Sequence, residues 1–236
     1  TSYSQIINSS RDFSTALCDA EGRLIAQAEH VPIHVGALPW AARAVHDAFR
    51  GQVRPGDVYL LNDPYHGGNH LPDLTAFVPV FDGDRLAFWS INRSHQSDIG
   101  GATHGAYNPG ATEIWQEGIR IPPLKLYDQG ELRADVLETI VLNVRHPREF
   151  RGDLAAMIGS ARVGERRLGA LLAELGSATT HAAIEAAGRM ASTMATRCST
   201  TTAMARRTST SAPRSPSAAV SSWSTSRTPI RRSRAS

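Results

Sequence analysis

Cysteine is nearly absent from this 236-residue chain: Cys18 and Cys198 are the only two. Two thiols cannot build a disulfide framework, so a reducing cytoplasm is the expected compartment. Long apolar runs are missing as well. No segment approaches the roughly eighteen consecutive apolar residues that a membrane-spanning helix needs. The start, Thr1-Ser2-Tyr3-Ser4, has neither a methionine nor a charged-then-apolar leader. A soluble cytoplasmic chain is expected. Lysine, aspartate and glutamate are all missing from residues 191–236, which hold eight Arg and 21 Ser or Thr. The net charge of +3 therefore conceals two unlike parts, because residues 1–190 carry 17 basic against 22 acidic residues. The basic part cannot bury enough apolar surface to offset its ordering entropy, which predicts a disordered tail over 188–236. Nucleic-acid binding by that tail is disfavoured by its lack of lysine and its single aromatic, Trp223.

The chemistry-bearing residues lie in two loops. Asn62-Asp63-Pro64-Tyr65-His66-Gly67-Gly68-Asn69-His70-Leu71-Pro72-Asp73 follows the strand-like run Val58–Leu61 and precedes a second one, Leu74–Phe81. Ser94-His95-Gln96-Ser97-Asp98-Ile99-Gly100-Gly101 follows a third, Leu86–Asn92. Residues at strand ends are rigidly held yet reach solvent. His70 and Asp73, three apart around a proline, can converge on one cation, and His95 can supply a third ligand. Imidazole and carboxylate suit Zn, Mn or Fe(II), and three protein ligands leave positions open for water or substrate. The competing reading is that Asn-Asp-Pro and Gly-Gly only build tight turns, with the histidines as polar loop positions.

The flanking sequence gives the scaffold. Phe13–Cys18 and Arg23–Gln27 around Asp19-Ala20-Glu21-Gly22 read as a β-hairpin, and Phe81-Asp82-Gly83-Asp84 is a turn joining the strands beside it. His30 and His34 stand four apart with Pro32 between them, which argues against a helix there. They either line the same pocket or are hydrogen-bonded structural histidines. Leu38, Ala41, Ala42, Val45 and Phe49 recur at helical spacing and predict a core helix over 37–49. Helical periodicity returns over 132–141 and from 152 to about 175, the latter with an apolar stripe that packs on the sheet. The glycine-rich stretch 100–110 is long enough to be a functional loop. No helix follows it closely enough for phosphate cradling, and His104 within it stays outside the ligand set. Glu113 and Glu117 are acid/base candidates, although surface carboxylates are usually just solvated.

The runs NDPYHGGNHLPDLTAFVPVF, RSHQSDIGG, TEIWQEGIRIPPLKL and NVRHPREFRGDLAAMIGSARVGERRL together resemble the hydantoinase B/oxoprolinase family, in consistent order over residues 8–180. That family includes the B component of ATP-dependent N-methylhydantoinases and 5-oxoprolinases, and the α subunit of acetone carboxylase. The resemblance implies an α+β fold with a largely antiparallel sheet and packed helices, as a fragment of a larger catalytic domain. It places a partial domain at 1–187, and its metal ligands fall on His70, Asp73 and His95. It raises Glu117 and Arg120 to pocket residues, and leaves Asp63 and Asp98 to orient the imidazoles or act as general base. The implied activity is hydrolytic ring opening of a hydantoin or 5-oxoproline, coupled to ATP hydrolysis on an A-type partner subunit. The implied cofactor is a divalent metal, manganese first and zinc or iron next, with ATP bound by the partner. A metal-dependent carboxylase of the acetone carboxylase type is the alternative. A stand-alone metal hydrolase and an inactive truncated remnant are two further readings.

Family members carry a helical segment upstream of Arg11-Asp12-Phe13-Ser14, so a truncated start is expected. The tail also reads as a frameshift. With GC-rich codons, Ser199–Thr202 becomes Leu-Asp-Asp-Asp in the neighbouring frame, and Ser221–Ser226 becomes Leu-Val-Val-Asp-Phe. Both products resemble the family's continuation.

Overall fold

Turn chemistry and side-chain alternation build the sheet. Gly83, at φ +60, closes the hairpin between Asp82 and Arg85, and Gly22, at φ +81, closes the earlier one. The computed structural model describes residues 2–28, 31–105 and 107–186. His30, Cys198, both frameshift motifs and the tail expected over 188–236 lie outside the described residues. In chain order the elements are α1 (Gln5–Asn8), β1 (Phe13–Asp19), β2 (Leu24–Gln27), α2 (Pro32–Ala48), β3 (Val58–Leu61), β4 (Asp73–Asp82), β5 (Arg85–His95), β6 (Leu124–Asp128), β7 (Glu131–Leu132), α3 (Ala134–Val141) and α4 (Pro147–Leu175). The strands form one sheet in the order β2-β1-β5-β4-β3-β6-β7, and every neighbouring pair is antiparallel. This is the expected α+β class with a largely antiparallel sheet.

Both faces of the sheet are covered, which is why β3 and most of β4 are buried without alternation. On one face Leu38, Ala41, Ala42 and Val45 of α2 pack on Tyr59, Leu61, Phe77, Trp89 and Ile91. On the other, Phe150, Leu154, Met157, Ile158 and Ala161 of α4 pack on Val58, Leu60, Leu74, Ala76 and Val78. Gly164 lets α4 approach closely: a Cβ there would lie 2.2 Å from Ser90 Oγ. Among the described residues no helix is long and apolar enough to cross a membrane.

Two helix starts differ from the sequence expectation for one reason. α2 begins at Pro32 and not at 37, and α4 begins at Pro147 and not at 152. Proline opposes a helix only in its interior. At the first position its missing N–H would have no partner and its φ is already helical. Pro32 therefore starts the helix it was expected to prevent, and places His34 in the first turn.

Two buried carboxylates away from the rim are paired. Asp153 accepts from the backbone N–H groups of Tyr3 (2.6 Å) and Ser4 (3.2 Å), fastening the first residues to α4. Asp57 accepts from Tyr59 Oη (2.6 Å) and from the N–H groups of Arg54 and Gln129 (2.8 Å each), and pairs with Lys125 Nζ at 3.0 Å.

Candidate metal centre

Strand register fixes the centre. Asp73, the first residue of β4, stands opposite His95, the last of β5, and Thr75 stands opposite Arg93. On the other side of β5, β1 places Phe13 opposite Ser94, and His95 N–H donates to the Asp12 carbonyl at 3.0 Å. Three neighbouring strand ends thus bring Asp12, His95 and Asp73 to one rim. Alternation along β5 puts Trp89, Ile91, Arg93 and His95 on the face that α2 covers. That face is apolar beneath the helix and polar at the point where the helix begins.

His70 arrives on the loop between β3 and β4. Asp63 caps a single 3-10 turn, Pro64–His66, which Gly67 ends at φ +90. Only glycine fits here, since a Cβ would lie 2.4 Å from Ala41 N at Gly67 and 2.1 Å from Asn62 O at Gly68. Asn62 clamps the loop from below. Its Nδ2 donates to the carbonyls of Leu71 (2.8 Å) and Ile119 (2.9 Å), and its Oδ1 accepts from Ile121 N at 2.7 Å.

Asp73 is 1% exposed, and its two oxygens have different surroundings. Oδ2 lies 3.1 Å from Asn69 Nδ2 and 3.1 Å from His34 Nε2. Oδ1 lies 3.1 Å from His70 Nε2 and 3.4 Å from His95 Nδ1, yet takes a hydrogen bond from neither. Burial alone would raise the Asp73 pKa, but the contacts with His34, His70 and His95 outweigh it and hold the carboxyl well below the usual range. His70 moves the other way: its contact with Asp73 raises its pKa against the effect of burial, helped by Asp12 and Glu117. Beneath them Arg93 is wholly buried and donates to Thr75 Oγ1 (2.7 Å) and to the carbonyls of His34 (3.2 Å) and Gly67 (3.1 Å). Burial pulls its pKa down to about 10, countered in part by Asp73, so the guanidinium stays charged at neutral pH.

A buried carboxylate oxygen without a hydrogen bond, facing two imidazole nitrogens, costs about 1–3 kcal/mol unless something fills the gap. One ligand atom each from His70, Asp73 and His95 lie within 4.8 Å of one another. Donors bound at about 2.1 Å around one ion stand roughly 3.0–3.4 Å apart for angles between square and tetrahedral, so the two measured separations fit a divalent cation. Asp12 extends the set, with Oδ2 3.8 Å from His95 Nδ1.

The other sequence candidates occupy two neighbouring positions. Asp63 accepts from Tyr65 N (3.2 Å) and contacts His66 Nδ1 (2.9 Å) and Arg120 Nη2 (3.0 Å). Arg120 also lies over the Tyr65 ring at 5.2 Å. Asp98 binds Arg145 Nη1 at 2.7 Å and the Arg145 backbone N–H, while Arg145 Nη2 reaches the Gly101 carbonyl at 2.6 Å. Among the described contacts, therefore, Asp63 and Asp98 engage His66 and two arginines, and the imidazoles of the rim are engaged by Asp73 and Asp12. Glu117 closes the 3-10 turn Ile114–Gln116, and its charge reaches His70. Glu113 is exposed. His104 pairs with His146 at 2.8 Å and is not part of the His70, Asp73 and His95 group.

Sequence reasoning passed over Asp12 and Arg93 and left His34 between two roles. Arg93 had a signal: in the alternation Trp89, Ile91, Arg93 it occupies an inward position, where a charge is rare unless paired. Asp12 had a weaker one, lying in the Arg11–Ser14 motif, where Arg11 takes a left-handed φ of +54 that costs a non-glycine residue about 1 kcal/mol or more.

These features define an α+β protein with a candidate His/Asp metal centre at the rim of an antiparallel sheet. The chain belongs to the hydantoinase B/oxoprolinase family, whose model matches residues 1–215. It is 42% identical over 176 residues to the caprolactamase subunit beta of Pseudomonas jessenii, covering 75% of this chain and 30% of that protein. It is 44% identical over 135 residues to a 5-oxoprolinase of Pestalotiopsis fici, covering 57% of this chain and 10% of that protein. The crystal structure of the ATP-dependent caprolactamase from Pseudomonas jessenii superposes with a TM-score of 0.72 at 40% identity, over 75% of this chain and 30% of that one. Nucleotide-free acetone carboxylase shares the fold, with a TM-score of 0.69 at 23% identity over 73% of this chain and 23% of that one. The chain thus spans a third or less of the length of each of these relatives.

Proposed function

We propose that this chain carries the metal centre of an ATP-coupled cyclic-amide hydrolase, with His70, Asp73 and His95 as the ligands. The observation that carries this reading is Asp73 Oδ1, buried, without a hydrogen bond and flanked by two imidazole nitrogens. A caprolactamase and a 5-oxoprolinase among the relatives support a lactam, hydantoin or 5-oxoproline ring as substrate. The caprolactamase relative's name as a subunit and its ATP dependence support assembly with an A-type, ATP-using partner. When bound, a divalent ion, with manganese ahead of zinc or iron, supplies Lewis-acid polarisation and acidifies water.

The chain's own residues do the rest. Asp73 and the fixed Arg93 beneath it keep the rim preorganised. Glu117, whose charge reaches His70, accepts the proton of the attacking water as the new C–O bond forms, and returns it to the ring nitrogen as the C–N bond breaks. Arg120, held by Asp63 and Tyr65, presents its guanidinium to the oxygen on which negative charge develops.

Metal analysis of the purified chain against a His70→Ala, Asp73→Ala double variant tests the centre. About one equivalent of Mn, Zn or Fe, lost in the variant, is expected. A folded wild-type chain that takes up no metal refutes the assignment. ATP-dependent ring opening with an A-type partner, lost on Glu117→Gln with metal retained, tests the chemistry.

A further inference from the structure

The first turn of α2 sends one side chain into the sheet rim. His34 is 2% exposed, its Nε2 lies 3.1 Å from Asp73 Oδ2 and its Nδ1 lies 3.2 Å from Ser14 Oγ. An ionised Asp73 can only accept, so in the neutral ring Nε2 carries the hydrogen and Nδ1 accepts from the serine hydroxyl. Its backbone is pinned too, because Arg93 Nη1 donates to the His34 carbonyl at 3.2 Å. Asp12 Oδ1 lies farther from the same Nε2, at 3.6 Å, so Asp73 is the nearer of the two carboxylates.

We propose that His34 is the positioning residue of this centre: by donating to Oδ2 it turns the Asp73 carboxylate so that Oδ1 alone faces His70 and His95. The proposal rests on the metal-centre reading above and extends it to metal choice. With Asn69 and His34 occupying Oδ2, Asp73 offers one oxygen beside two imidazole nitrogens, a donor set for Zn, Mn or Fe. Ca²⁺ prefers six to eight oxygens and readily takes carboxylates in bidentate fashion. A histidine that merely filled the core would not need its Nε2 beside a buried carboxylate, nor its Nδ1 within reach of a hydroxyl. The partners of metal-binding groups typically govern affinity by about 10–100-fold.

The test measures Zn²⁺ and Mn²⁺ affinity, Ca²⁺ competition and the Co²⁺ absorption spectrum of the whole chain and of three variants. His34→Ala is expected to bind Zn²⁺ and Mn²⁺ about 10–100-fold more weakly, with a shifted Co²⁺ spectrum and a smaller preference over Ca²⁺. His34→Gln, whose amide N–H can reach Oδ2, is expected to recover most of the affinity and the spectrum. Ser14→Ala, which loosens the ring and leaves every ligand in place, is expected to fall between. Unchanged affinity and spectrum in His34→Ala overturn the proposal, and so does an equal loss in His34→Ala and His34→Gln. If His34→Ala does not fold, wild-type affinity in a folded Ser14→Ala overturns it. A folded wild-type chain that takes up no metal overturns the metal-centre reading itself, and is thereby told apart from a failure of His34 alone.

Discussion

Replacing Gly68 with alanine isolates the loop that carries His70. An added Cβ would sit 2.1 Å from Asn62 O, 2.7 Å from Asn62 C and 2.8 Å from Asp63 C, all backbone atoms. Ordinary carbon contacts begin near 3.5 Å, so the loop must move by about 1 Å. Asn62 is fixed by hydrogen bonds to Leu71, Ile119 and Ile121 and cannot yield without breaking one of them. Overpacking at about 1–3 kcal/mol and a lost buried hydrogen bond at about 1 kcal/mol together predict about 2–4 kcal/mol of destabilisation. His70 should also be displaced, weakening metal uptake. Urea unfolding of the metal-free chain, followed by the fluorescence of buried Trp89, reads the first effect, and metal titration reads the second. Gly36→Ala is the control. That position on α2 has nothing within 4 Å, so the change should be neutral or stabilise by up to about 1 kcal/mol. A Gly68→Ala protein within about 0.5 kcal/mol of wild type that binds metal normally would refute the claim that this glycine is sterically required.

Gly164→Ala should cost less than Gly68→Ala, because its closest neighbour is the rotatable Ser90 hydroxyl at 2.2 Å and not backbone. Combining it with Ser90→Ala should recover part of the loss, and strictly additive unfolding free energies would refute the contact. Acid dependence should reveal Asp63. Burial pushes its pKa up, but the bonds from Arg120, His66 and Tyr65 N–H prevail and leave it lowered. A lowered folded pKa contributes stability that is fully present above the unfolded value near 3.9 and is lost as pH falls through the folded one. The stability gap between wild type and Asp63→Asn should therefore hold between about pH 5 and 7 and close below roughly pH 4. A gap that widens on acidification would refute the pairing.

The three central residues were legible because two signals agreed. His70 and Asp73 flank a turn at the start of a strand, and the β4–β5 turn at Gly83 sets the register that faces Asp73 with His95. What was not legible depended on pairing between distant segments. Asp12 reaches the rim only because β1 inserts beside β5, about eighty residues later in the chain, and nothing local in the sequence encodes that neighbour. His34 was obscured by Pro32, whose effect reverses between a helix interior and a helix start. Asp63 and Asp98 sit close in sequence to His70 and His95, but a capped turn and Arg145 direct them elsewhere. Spacing alone does not separate a carboxylate that orients an imidazole from one that shapes a loop.

Lys125, paired with Asp57 and Asp128, is the only lysine in the 236 residues. The single side-chain amine is therefore tied up in the sheet, with 15% of its side chain exposed. Amine-directed reagents will find this amine held between two carboxylates, so its labelling should be slow and should quicken when either Asp57 or Asp128 is replaced by Asn.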